Sequence, residues 1–156
     1  MYVQVDLDGP GGTLRVSGYG LPVVELLRAP GTRPDSHTPI GTRKAAQLAL
    51  SIDGEPAEIE PARGRMLRHS YRVDVLTSDG VEYRLVPCGH DYSRLTRDGR
   101  RLGRLLCSGD GRVIDRWDTA PTPRDRALGT ALAAAFGTGA SPWWETVGEI
   151  VGEFLP

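Results

Sequence analysis

Scarcities bound this chain first. It has two cysteines, one lysine, three histidines, 6% aromatic residues and no long apolar run in 156 residues. Cys88 and Cys107 are too few for a disulfide scaffold, so reduced thiols in a cytoplasmic protein are the expectation. No stretch has the apolar length that a membrane-spanning helix needs, which argues against an integral membrane protein. The opening residues MYVQVDLDG show no basic region followed by an apolar one, so no signal peptide is read there. A net charge of −1 gives no bulk case for nucleic acid. The chemical signatures are equally thin. G-x-S-x-G, S-x-x-K and the paired C-x₂₋₄-C or H-x₃₋₅-H spacings of zinc sites are all missing. Gly9–Gly12 lacks the Lys-Ser/Thr of a P-loop, and Asp6 and Asp8 before Gly9 fall short of an EF-hand. No cofactor is expected.

What is present is glycine, proline and arginine. Twenty Gly and twelve Pro in a chain of this length point to many short strands joined by turns, in a single domain over 1–156. The recurring signal is Asp-Gly, at residues 8–9, 53–54, 79–80, 98–99 and 110–111. Between alternating apolar residues this dipeptide marks hairpins, because type I′ turns need positive φ at both central positions. Val3, Val5 and Leu7 alternate before the first pair. Leu48, Leu50 and Ile52 alternate before the second, Tyr71, Val73 and Val75 before the third. Hairpins are predicted over 70–86, then around Asp98-Gly99 with Leu95 facing Leu102, then over 104–117 with Cys107, Val113 and Trp117. Thr13–Ser17 and Val23–Leu27 read as earlier strands. Two stretches show no periodicity: residues 28–43, an irregular loop that is either mobile or functional, and residues 55–68.

Thr122–Gly137 reads as a buried helix. Thr122 suits the N-cap, Pro123 the first turn, Asp125 position N3, and Gly137 the exit. Ala127, Leu128 and Ala131–Phe136 leave almost no polar face, which belongs in a core. The fold expected is therefore mainly β (α+β): an antiparallel meander or barrel-like sheet packed around this helix. Residues 142–155 follow as an amphipathic terminal helix. Trp143, Val147, Ile150, Val151 and Phe154 share one face, with Trp144 beside it, and Glu145, Glu149 and Glu153 lie on another. Packing of that face offers a homodimer interface.

The strongest binding signal is basic. Residues 63–126 carry fourteen Arg against nine acids, and Arg94, Arg97, Arg100, Arg101 and Arg104 surround Asp98-Gly99. Guanidinium groups projecting from one turn suit an anionic small molecule or a protein partner, since the planar fork matches carboxylate and phosphate. That gives a non-catalytic binding or scaffold protein as the leading expectation. The rival is a small hydrolase using His90 and Asp91 as a base and its orienting acid, with Arg94 stabilising an anion. A metal alternative joins Cys88, His90 and Cys107, with His69 as a further ligand.

Val81–Gly103, VEYRLVPCGHDYSRLTRDGRRLG, resembles the strand rhythm of tubby C-terminal-like proteins, which include the phospholipid scramblases and the LURP-one-related family. The likeness lies in the Tyr-x-Leu strand, the arginine-bearing turn and the glycine before the next strand, followed by an apolar helix over 125–136. The resemblance implies a closed antiparallel barrel around one hydrophobic helix near the C-terminus. Gly129 and Thr130 within the helix, and the second helix after it, depart from that pattern. No calcium-binding or phosphoinositide-binding residues carry over.

Overall fold

Alternation of apolar and polar side chains builds ten strands in the computed structural model, which describes residues 2–36, 38–62, 71–89, 91–107 and 112–138. They are β1 Gln4–Asp8, β2 Thr13–Ser17, β3 Val24–Arg28, β4 Leu48–Ile52, β5 Glu55–Pro61, β6 Val73–Leu76, β7 Glu82–Pro87, β8 Tyr92–Arg97, β9 Arg100–Cys107 and β10 Val113–Trp117. Each pairs antiparallel with its sequence neighbours, giving one sheet in the order β1 to β10. The single α-helix among the described residues is α1, Pro123–Phe136. This is the meander expected around one helix, but the sheet is not closed into a barrel. The closure that the tubby-like resemblance implies is not there. Instead α1 touches β1, β2 and β3 from one end of the sheet and β7, β9 and β10 from the other. None of the described helices is long and apolar enough to cross a membrane.

The Asp-Gly turns do not all work alike. Asp53-Gly54 and Asp98-Gly99 both have φ of 49° and 81°, the paired positive values of a type I′ turn. Each aspartate also clamps the strand behind it. Asp53 Oδ1 accepts from Val23 N at 2.7 Å, and Asp98 Oδ1 accepts from Glu82 N at 2.9 Å. At Asp79-Gly80 only the glycine is positive, and Gly80 N donates to the Thr77 carbonyl, a wider turn. Asp110-Gly111 lies outside the described residues, although Cys107 pairs with Val113 on either side of it.

The 55–68 stretch, expected to be irregular, contains β5. Ala57, Ile59 and Pro61 alternate inward with Glu58 and Glu60 outward. Two prolines fit because the strand changes partners midway: residues 55–57 pair with β4 and 58–61 with β6. Each proline is paired on one side only, the edge-like position that a residue without an N–H tolerates.

The core lies between the curled sheet and α1. Leu14, Val16, Val24, Leu26, Val73, Val75, Leu85, Leu95 and Leu105 meet Leu128, Ala131 and Leu132, all buried. Thr122 and Asp125 form a reciprocal capping box at the start of α1, and Gly137 leaves it at φ 75°. Gly129 faces the side chains of Leu95 and Leu105, where a Cβ would come within 2.8 Å and 3.1 Å. The 28–43 stretch is tied to the rest of the fold at Arg28, Ile40 and Arg43. The Arg28 guanidinium donates to the Gly9, Pro10 and Ile40 carbonyls, and fully buried Ile40 donates its N–H to the Ala135 carbonyl at the end of α1. Arg43 donates to the Ala62 and Tyr71 carbonyls and stacks 5.4 Å from the Phe136 ring; burial lowers it to about 10.

Candidate functional site: an arginine face on the outer sheet

The β8–β9 hairpin sorts its arginines onto two faces. Arg97 opposite Arg100 and Arg94 opposite Arg104 are direct cross-strand pairs three residues apart along β8. Odd separation places them on opposite sides of the pleat. A bulge accommodates the mismatch on β9: Leu95 opposes Gly103, Thr96 opposes Arg101, and Leu102 is the extra residue, buried in the core. Leu95 therefore faces Gly103 and not the expected Leu102. Gly103 is small for a reason, since a Cβ there would meet the Arg116 carbonyl oxygen at 2.4 Å and the Trp117 Cα at 2.9 Å.

On the helix side, Arg97 is spoken for. Its Nη1 lies 2.5 Å from Asp125 Oδ2, and Tyr83 Oη donates to Asp125 Oδ1 at 2.6 Å. The carboxylate also accepts from Thr122 N at 3.0 Å. Burial alone pushes Asp125 up, but the hydrogen bonds from Tyr83, Thr122 and Arg97 outweigh it and hold the carboxyl below its ordinary value. Tyr83, fully buried against this carboxylate, is pushed up to about 12 by burial and by Asp125. Beside it Arg124 reaches both oxygens of Asp79 at 3.0 Å and lies over the Tyr83 ring. The Thr77 hydroxyl, then Arg124, holds exposed Asp79 below its usual range. Arg97, one of the arginines expected at the ligand, joins the hairpin to α1 through this ion pair. Its partners in sequence are remote, and no local spacing announces them.

The outer side gains a residue that sequence reasoning did not include. Arg94 pairs with Arg104, and Arg104 pairs with Arg116 of β10. Three arginines thus form one row across three strands, spanning about 10 Å at the spacing of adjacent strands. Arg101 lies next along β9, exposed on the same face. None of these four has a carboxylate partner among the described residues. Arg104 stacks 5.3 Å from the Tyr92 ring. The adjacent row, Tyr92, Leu106 and Ile114, is apolar, and Ile114 is 68% exposed. Arg100 sits apart from this row, on the helix-side rim opposite Arg97.

The other sequence candidates do not assemble among the described residues. Asp91 is exposed, and its backbone carbonyl accepts from the Thr138 hydroxyl at 2.8 Å; His90 lies outside the described residues. Cys88 and Cys107 flank β8 on opposite sides, since Cys88 N donates to the Tyr92 carbonyl while Tyr92 pairs with Leu106. No three described Cys, His, Asp or Glu side chains gather as a metal site would need. His69 and the interface residues Trp143, Trp144, Val147, Ile150, Val151 and Phe154 also lie outside the described residues. Gly9–Gly12 is a turn, closed by Gly12 N on the Gly9 carbonyl, with Asp8 Oδ1 accepting from Gly11 N.

Fold and site together define the class: an open ten-stranded antiparallel meander curled over one helix, carrying an arginine row on its outer face. The chain matches no protein-family profile, no curated protein and no solved structure.

Proposed function

We propose that this protein is a non-catalytic binding module for an extended anion, held on the outer sheet by Arg94, Arg104 and Arg116 with Arg101 beside them. The observation that carries this is the direct cross-strand register of three like charges. Like charges placed opposite one another destabilise a sheet. A bound anion offsets that repulsion, and guanidinium forks are suited to phosphate and carboxylate oxygens. The resemblance to tubby C-terminal-like proteins enters here as a proposal of ancestry, supported by a meander about one late helix and opposed by the open sheet. A cytoplasmic setting is proposed with it, supported by a sequence with only two cysteines, too few for the disulfide framework of a secreted domain.

Calorimetric titration of the full chain with inorganic polyphosphate tests the reading. The R94Q/R104Q/R116Q variant should bind at least about thirtyfold more weakly, as expected for losing several charge-assisted hydrogen bonds. It should melt no lower than the parent, because the repulsion goes too. Equal binding by the triple variant would remove the site.

A further inference from the structure

We infer that the partner of this face is an acidic amphipathic helix of another protein, laid across β8, β9 and β10. The inference rests on the anion-binding reading of the same surface and narrows it. Two rows run side by side over the same three strands: Arg94–Arg104–Arg116 and, two residues along each strand, Tyr92–Leu106–Ile114. Two residues of strand separate the rows by about 7 Å, and each row spans about 10 Å. A helix presents matching lines. Residues at i, i+4 and i+7 cover about 10 Å along its axis, and a second line one residue on is turned by about 100°. Leucines on one line would cover the apolar row while glutamates on the next reach the guanidinium groups.

A simple polyanion uses only half of this surface, leaving Ile114 exposed at 68%. A lipid surface suits it less well, because Tyr92 and Leu106 are already partly covered in the sheet and have little to insert. The chain's own segment 142–155 does not fit either. Read as a helix, its glutamate line falls roughly 140° from its apolar stripe, so the two cannot meet adjacent rows together.

The test uses the full chain and four probes: inorganic polyphosphate, a helical peptide with leucines at i, i+4 and i+7 each followed by glutamate, a peptide of the same composition with its glutamates on the opposite face, and phosphatidylserine–phosphatidylcholine vesicles. The matched peptide should bind at least about tenfold more tightly than the mismatched one. Ile114→Thr, which keeps a β-branched side chain, should weaken the matched peptide about tenfold through lost apolar burial and leave polyphosphate binding unchanged. Polyphosphate binding without discrimination between the peptides overturns the inference while the anion site stands. So does vesicle binding with no peptide binding. Failure of all four probes overturns both readings.

Discussion

Asp125 shows how much one side chain can hold together. It caps α1 from position N3, accepts the Tyr83 hydroxyl and pairs with Arg97, joining helix, β7 and β8 at a single carboxylate. Asp125→Asn leaves Arg97 without its counter-charge and should cost about 3 kcal/mol at pH 7. The folded pKa lies below the ordinary value, so the stabilisation is complete above the unfolded value of about 3.9 and fades as pH falls through it toward the folded one. Chemical melts of parent and variant should therefore converge in acid; a gap that stays constant down to pH ~2 would contradict the assignment. Tyr83→Phe strips one donor from the same carboxylate and should cost about 1–3 kcal/mol. In an absorbance titration the parent should show a phenol ionising at about 12 that the variant lacks. The capping box was legible in Thr122 and Asp125, because capping is local. Tyr83 and Arg97 stand 42 and 28 residues away from Asp125, and periodicity does not reveal which polar groups meet across layers.

At the scale of elements, the Asp-Gly rhythm carried the hairpins, yet the aspartates do more than permit positive φ. Asp53 and Asp98 each reach back to the preceding strand, so turn and ladder are fixed together. Asp98→Asn keeps an acceptor and an amenable φ and should be nearly neutral. Asp98→Gly keeps only the backbone freedom and should cost about 1 kcal/mol for the lost hydrogen bond. Asp98→Ala loses both and should cost about 2 kcal/mol. Urea denaturation of the three variants checks the order, and an alanine variant as stable as the asparagine one would refute the clamp. What misled the reading elsewhere is equally local. Pro56 and Pro61 obscured β5 because proline normally argues against an interior strand, and only the partner change midway removes the conflict. The bulge at Leu95/Thr96 likewise has no simple alternation to betray it, so the facing residue of Leu95 was misplaced by one.

For the whole molecule, the question is how a ten-stranded sheet keeps a dry core without closing. The helix answers it by touching strands from both ends of the sheet while Ala127 through Ala135 stay buried. An apolar helix with no polar side was readable from composition alone; whether the sheet meets itself depends on twist and curl accumulated over ten strands, which single-strand patterns do not encode. Two substitutions separate this architecture from one in which α1 merely leans on an otherwise self-sufficient sheet. Leu132 is fully buried, whereas Ile114 is 68% exposed on the outer face. Leu132→Asp buries an unpaired carboxyl among Leu and Val side chains, a cost of several kcal/mol set against a total stability of about 5–15 kcal/mol. It should abolish the cooperative urea transition and the strand signal in far-UV circular dichroism. Ile114→Asp places the same charge on the sheet's other side, next to the arginine row, and should leave both nearly unchanged. If Leu132→Asp instead retains a cooperative sheet, the strands hold their own core and α1 is an accessory to it.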